Sequence, residues 1–299
     1  MKEKLLIILQ SILRLFARLT LWRYNPTIIG ITGNVGKTST KEAVRLVLNQ
    51  TRRVRASAKS FNNEFGMPLT ILGDWDLKGG IFFWFKVLLV SLLRIVIKDG
   101  SYPDILILEY GVDKTGDMRY LLDIAKPNIA IITALGDIPV HVEFFPDRQA
   151  LISEKSKLIN NLPATGFAIL NADDPEVLAM QEHTRAKVLT FGFADSTNLQ
   201  ITNFSNQFDE ATSNLILKLN YGGSFVPLKL ENVLGRPQAY AVAAAATVGL
   251  LFGLNLVKIA EALAHYQTAP GRFRVLRGVK DTTIIDDTYN SSPTALREA

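Results

Sequence analysis

The chain has 299 residues, 48% of them hydrophobic and 20% charged, with 33 Lys and Arg against 28 Asp and Glu for a formal charge of +5. This is the composition of a globular protein with length for one large or two ordinary domains, and its mild basic tilt suits anionic substrates or a membrane surface without requiring nucleic acid. The absence of cysteine excludes a disulfide framework, a cysteine nucleophile and cysteine zinc sites, and three histidines (141, 183 and 265) argue against a polyhistidine metal centre.

Residues 3–22 are strongly apolar, yet Gln10, Arg14 and Arg18 recur at helical spacing opposite Leu9, Leu13, Phe16 and Leu19. That pattern predicts an amphipathic helix within residues 1–26 that neither spans a membrane nor acts as a secretory signal. Its apolar side can rest on a bilayer or on the protein's own core.

A β-branched run, Thr27-Ile28-Ile29, then leads into Gly30-Ile31-Thr32-Gly33-Asn34-Val35-Gly36-Lys37-Thr38-Ser39-Thr40-Lys41, and a helix is expected from Lys41 to Asn49. Strand, glycine-rich turn and helix N-terminus form the context of a phosphate-binding loop. Backbone amides of Gly33, Asn34, Val35, Gly36 and Ser39 can close around phosphate oxygens, Lys37 can reach the terminal phosphates, and Thr38 can offer a hydroxyl to Mg²⁺. The generic spacing puts the first glycine at position 31, where this chain has Ile31, with Gly30 one residue earlier.

Asn62-Asn63 ahead of Gly66 and Pro68 reads either as an ordered polar loop offering hydrogen bonds to a ligand or as a plain turn before a helix. Residues 81–97 form a second amphipathic helix, interrupted by Lys86 and Arg94. The apolar run Ile105-Leu106-Ile107-Leu108 ends in Glu109, as when a buried parallel strand delivers an acid to the ligand-binding edge of a sheet. There Glu109 would hold Mg²⁺; the alternative is a helix cap. Further strands are expected at 129–133 and 166–170, with a helix carrying Glu154 and Lys155 between them.

From 197 to 230 short alternating runs predict a small antiparallel sheet attached to the main one, and Ala239–Leu254 is expected to be a buried helix. Pro270-Gly271-Arg272 marks a boundary before a new strand near Thr283. The predicted fold is therefore α/β, a mostly parallel sheet around a phosphate loop flanked by helices, with a small antiparallel sheet. Residues 27–269 are expected to form one nucleotide-binding domain, and within 270–299 a new strand and helix start without the rest of a domain behind them.

Ordered along the chain, the phosphate loop, Asn62-Asn63-Glu64-x-Gly66-x-Pro68, Glu109-x-Gly111, His141-x-Glu143, Lys155, Asn171-x-Asp173-Asp174-Pro175, Pro270-Gly271-Arg272 and Asp286-Asp287-x-Tyr289-Asn290 together resemble the Mur ligase family. The resemblance implies ATP-dependent C–N bond formation through an acyl phosphate in peptidoglycan precursor synthesis. The paired asparagines and the Tyr-Asn motif look most like the member that joins D-alanyl-D-alanine to a nucleotide-sugar tripeptide. It also implies that Thr38 and Glu109 hold one Mg²⁺ and that His141 and Lys155 serve a second, the lysine as a carbamate formed with CO₂. Gln238, Arg272 and Asp287 would join the loop in holding ATP, with Asn62, Asn63, Tyr289 and Asn290 on the substrate side. The expected protein is a cytoplasmic monomer that binds no nucleic acid, with peripheral membrane contact through the amphipathic segments 3–22 and 81–97 open to it.

Departures from the family pattern are clear. Full-length members usually carry a UDP-binding domain where this sequence has an apolar helix before the loop, and a C-terminal nucleotide-fold domain of which 270–299 would be the first elements; Pro237, Gln238 and Ala241 stand where many members have His-Asn-x-x-Asn. The stretch between Thr133 and His141 is also longer than usual. A folylpolyglutamate or cyanophycin synthetase-like ligase, or a membrane-surface ATP-binding or scaffolding subunit without ligation, are the competing expectations.

Overall fold

Each apolar run of the sequence becomes a strand that must be covered on both faces. In chain order these are β1 (Thr27–Thr32), β2 (Val54–Ala56), β3 (Ile105–Glu109), β4 (Ile129–Ile132), β5 (Phe167–Asn171), β6 (Lys187–Gly192), β7 (Leu199–Phe208), β8 (Ser213–Tyr221) and β9 (Ser224–Glu231). In the computed structural model, which describes residues 2–57, 60–76, 79–136, 144–208 and 213–289, they form one sheet in the order β2-β3-β1-β4-β5-β6-β7-β8-β9. Pairing is parallel from β2 through β7, and β8 and β9 are antiparallel additions. The expected hairpin region thus extends the main sheet, joined where Phe191 and Gly192 pair with Leu199 and Gln200. A separate two-stranded sheet is made by β10 (Arg274–Arg277) and β11 (Thr283–Asp286).

Helices cover the two faces. On one side α2 (Lys37–Leu48), α8 (Arg236–Leu251) and α9 (Leu256–Leu263) pack on Ile29, Ile31, Ile105, Ile107, Ile129 and Ile131. On the other, α1 (Lys2–Tyr24), α3 (Gly66–Gly73), α5 (Asp117–Ile124), α6 (Arg148–Asn160) and α7 (Pro175–Ala179) cover Ile28, Leu106, Leu108, Ala130 and Ile132. Alternate residues of the same strands face opposite cores, so the runs read as continuously apolar. Each such buried side chain contributes about 1.5–3 kcal/mol.

The alanine run of α8 lets α2 approach closely: a Cβ at Gly249 would stand 2.8 Å from Val47 Cγ1. This contact fixes the helix that the phosphate loop opens. The chain runs from β1 through α2 to the sheet edge at β2 and returns to the other side of β1 at β4, so the strand order reverses beside β1. Ligands of open α/β sheets bind in the crevice at such a reversal.

The helix α4 (Ile81–Val96) lies outside these layers and meets α1 and α3 through a small cluster of Leu13, Leu69, Leu72 and Val87. By length and composition α1 could cross a membrane. It lies instead along the protein, with Leu13 and Ala17 fully buried and Arg14 and Arg18 at 3.3 and 3.5 Å from Asp123.

Candidate active site

The phosphate loop runs off the end of β1, and α2 begins at Lys37, four residues earlier than expected. Thr38, Ser39 and Thr40 therefore form the first helical turn, with its unsatisfied N–H groups turned to the cleft. Gly36 enters the helix with φ 86°, and Gly33 has φ 143° and a Cβ position 2.1 Å from Thr133 Oγ1, so neither tolerates a side chain. Gly30 has a different task from the one its spacing suggested. It lies within β1, and its missing Cβ makes room for the Tyr110 ring at 2.8 Å. The loop is pinned to the end of β4: Asn34 N donates to Ala134 O at 2.7 Å, and Thr133 Oγ1 donates to Val35 O at 2.6 Å.

Beside the loop, β3 delivers Glu109, which is 1% exposed. Its Oε2 accepts from Thr38 Oγ1 at 3.4 Å, and Thr38 is also 3.0 Å from Ser60 Oγ. The Lys41 ammonium lies 3.1 Å from Glu109 Oε1 as an ion pair off the hydrogen-bonding axis, while donating to Ser57 O at 2.6 Å. The Glu109 oxygens and the Thr38 hydroxyl are hard donors on one wall, the type Mg²⁺ takes alongside substrate phosphates. Among the described residues no three His, Cys, Asp or Glu side chains converge into a metal site.

From α6, Lys155 reaches back to the loop. Its Nζ donates to Gly33 O at 3.3 Å, and Lys37 Nζ donates to the same carbonyl at 2.8 Å. Burial first, and the neighbouring Lys37 cation second, bring the Lys155 pKa down to about 7, against the pull of Asp113 and Glu154. Burial also lowers the pKa of Lys37, opposed by Glu109 and reinforced by Arg272. Two lysines converging on one carbonyl make a site that attracts a polyanion and leaves one amine ready to be neutral. Glu154 braces this arrangement, its Oε1 accepting from the backbone N–H groups of Gly116 and Met118 at 3.0 Å each.

The last wall comes from the far end of the chain. Tyr289 N donates to Gly271 O at 3.1 Å, Gly271 N donates to Asp286 Oδ2 at 3.0 Å, and Phe273 N donates to Asp287 Oδ1 at 3.1 Å. This knot stacks the Arg272 guanidinium 3.9 Å from the Tyr289 ring centroid and brings it to 3.5 Å from Thr38 Oγ1. Phe273 carries the bend at φ 57°, a left-handed conformation that a bulky residue adopts only under constraint.

One cleft therefore gathers Gly33 to Ser39, Asn62, Glu109, Lys155, Gln238, Arg272, Asp287 and Tyr289. Asn63 is not on its wall: its Oδ1 accepts from Gly66 N at 2.9 Å and caps the turn into α3. Gln238 lines the cleft, but its amide is engaged by Arg272 O and by the Tyr266 hydroxyl at 2.6 Å, so it latches α8 rather than offering itself to a base. His141 and Asn290 lie outside the described residues.

Sequence reasoning missed Lys41, Ser60 and Asp113, of which only Asp113 carried a signal, two residues beyond Gly111 in the same strand-end segment. It also missed a second cavity of about 400 Å³ on the other side of the loop, which shares Val35, Gly36 and Pro237 with the first. Asn171, Asp174, Arg148 and Tyr240 line it, and Asp174 Oδ2 holds the β4 turn by accepting from Leu135 N and Gly136 N at 2.8 and 3.1 Å.

Fold and cleft together define a parallel-sheet domain built around a phosphate loop, with cavities meeting on either side of that loop. The Mur ligase middle domain matches residues 92–249, more than half of the chain, and the chain belongs to the Mur ligase family. The UDP-N-acetylmuramoyl-tripeptide--D-alanyl-D-alanine ligase of Mycobacterium leprae is 32% identical across 91% of this chain and 49% of that protein. The ligase of the same name from Bacillus subtilis is 26% identical, covering 96% and 55%. Among solved structures, the MurF ligase from Thermotoga maritima in complex with ADP superposes with a TM-score of 0.77 at 27% identity, over 97% of this chain and 59% of that one. The chain thus spans about half the length of the curated relatives it matches.

Proposed function

We infer that the chain forms the ATP-handling part of a ligase joining D-alanyl-D-alanine to UDP-N-acetylmuramoyl-tripeptide in the cytoplasm. The observation that carries this reading is the convergence of Lys37, Glu109 and Lys155 on one phosphate loop from three separate stretches of sequence, within a fold shared with ligases of that name. Residues 27–269 act as the central domain, and 270–299 begin the domain that follows it.

The two cavities meeting at Gly36 suit a nucleoside triphosphate lying across the loop, the nucleoside in the cavity of Asn171 and Tyr240 and the γ-phosphoryl group toward Lys155. The loop amides and Lys37 hold the β and γ phosphates, and Arg272 adds a guanidinium beside Thr38. Mg²⁺ would be held by Thr38 and Glu109 and, when bound, supplies charge neutralisation on the transferring phosphoryl group. The substrate carboxylate attacks the γ-phosphorus and ADP leaves; the amino group of the acceptor then attacks the acyl carbon, and phosphate leaves. Asn62, held against Gly111 by the Gly111 N to Asn62 O bond at 3.0 Å, and Tyr289 border the acyl side.

Lys155 serves as a carbamate: its neutral amine adds to CO₂ and releases one proton, turning a neutral group beside Lys37 into an anion. A pKa near 7 supports this by leaving much of the amine neutral at physiological pH. His141 would join it in serving a second Mg²⁺.

The test is phosphate release from ATP with each acceptor withheld in turn. Release that needs both the muramoyl tripeptide and D-alanyl-D-alanine is expected. ATP binding with release indifferent to both acceptors would replace this reading with that of a nucleotide-binding subunit without ligation.

A further inference from the structure

Two stripes of exposed apolar side chains have no part in the cleft. On α1, Leu5, Ile8, Leu15, Leu19 and Trp22 follow a helical repeat along the side opposite the buried Leu13 and Ala17. On α4, Phe82, Phe85, Leu89, Leu92 and Val96 do the same. Exposure runs from 38% at Leu19 to 87% at Phe82, far beyond the scattered surface apolar residues of an ordinary protein.

The two helices touch. Leu13 and Val87 share a core, Arg23 Nε donates to Ile95 O at 3.3 Å, and the Tyr24 hydroxyl donates to Arg94 O at 2.7 Å. The stripes therefore belong to one surface.

Charge decides what that surface meets. Along α1 stand Lys2, Lys4, Arg14, Arg18 and Arg23 against the single acid Glu3, and residues 79–98 contain Lys86, Arg94 and Lys98 with no Asp or Glu. Arg14 and Arg18 turn to Asp123 on the body, Arg94 turns to Asp99 at 3.6 Å and Lys86 Nζ sits 5.8 Å from the Trp75 ring centroid, so Lys4, Arg23, Lys98 and the ring-held Lys86 remain as the cations flanking the apolar stripes. A second copy docked through the same face would bring two sets of cations together in one interface. Anionic headgroups would neutralise them, and Trp22, Phe82 and Phe85 are side chains that settle at the boundary between headgroup and acyl chain.

We propose that the α1–α4 face docks on an anionic lipid bilayer, both helices lying in the plane of the interface while the catalytic cleft stays in the aqueous phase. This docking is independent of the ligation reading, since none of the cleft residues takes part in it.

The experiment is co-sedimentation of the 299-residue protein with vesicles of phosphatidylcholine alone or containing phosphatidylglycerol. Binding to the anionic vesicles is expected, about tenfold or more weaker on neutral vesicles or in high salt. The exposed triple variant Phe82→Ser/Phe85→Ser/Leu89→Ser should lose binding by at least about tenfold while keeping the parent's circular dichroism and ATP affinity. Should that variant misfold, Lys86→Glu/Lys98→Glu makes the same point through charge. Brominated lipid should quench the parent's fluorescence, and Trp22→Phe should remove the quenched component. Absence of binding to anionic vesicles would overturn the proposal. So would a dimer in sedimentation equilibrium that the triple variant dissociates without any vesicle binding, or carbonate-resistant integration that marks α1 as a spanning helix.

Discussion

Lys155 carries opposite demands, because a fold that buries it to make it reactive must bear the cost of a buried cation whenever it is protonated. In the folded protein its pKa is near 7; in the unfolded chain it takes the ordinary value of 10.5. The unfolded state therefore binds the extra proton between these values, and stability rises with pH across that window. Below pH 7 both states are protonated and the full penalty is present. Lys155→Met should thus gain stability over the parent most at or below pH 7, and the gain should shrink by on the order of 5 kcal/mol as pH approaches 10.5. Urea midpoints measured in CO₂-free buffer at several pH values check this, and a gain independent of pH would contradict it. Under the proposed mechanism, in which this group acts on the transferring phosphoryl rather than on nucleotide binding, Lys155→Ala should lower kcat by at least about a hundredfold while ATP affinity stays within about threefold. Short-chain carboxylates should restore part of the turnover by standing in for the carbamate, and unchanged kcat in an active enzyme would remove Lys155 from the mechanism.

Between elements, the pair that matters most joins α2 to β3. Lys41 and Glu109 have fully buried side chains 3.1 Å apart, so removing one partner strands a charge in the core. Lys41→Met should cost about 3–5 kcal/mol, and Lys41→Met/Glu109→Gln should recover much of it. Equilibrium unfolding of the two single variants and the double variant checks this; additive losses would mean that the ion pair is not what holds α2 against β3. The sequence foretold the strands here and left their neighbours obscure for a physical reason. A buried parallel strand announces itself as an uninterrupted apolar run, and Ile105–Leu108 ending in Glu109 could be read directly. A lysine at the first turns of a helix reads as solvated, and only its contacts with Glu109 at the end of β3 and Ser57 after β2 show that Lys41 is enclosed. The start of α2 was placed too late because the hydroxyl residues Thr38, Ser39 and Thr40 look like loop when their N–H groups are not known to face a ligand. The offset of Gly30 from the generic spacing has a like cause: its purpose is the Tyr110 ring, a contact across strands that spacing cannot reveal.

For the molecule as a whole, the motifs named nearly every wall of the cleft, since each ends an element whose type was legible. Their convergence came only with the family resemblance and not from the residues themselves, because it follows from the order β3-β1-β4 and from the turn that carries Arg272 and Tyr289 back to Thr38. Asn63 and Gln238 show the opposite failure, polar residues in the right neighbourhood whose hydrogen bonds are used for the fold itself. The account stands or falls on the loop between Gly33 and Ser39 as the seat of the triphosphate. Its most direct test is the ATP dissociation constant, by calorimetry in the presence of Mg²⁺, of the parent and of Lys37→Ala. Loss of the ammonium that reaches the phosphates should weaken binding by about thirtyfold or more with the melting curve unchanged. Affinity within about threefold of the parent would mean that the nucleotide binds elsewhere.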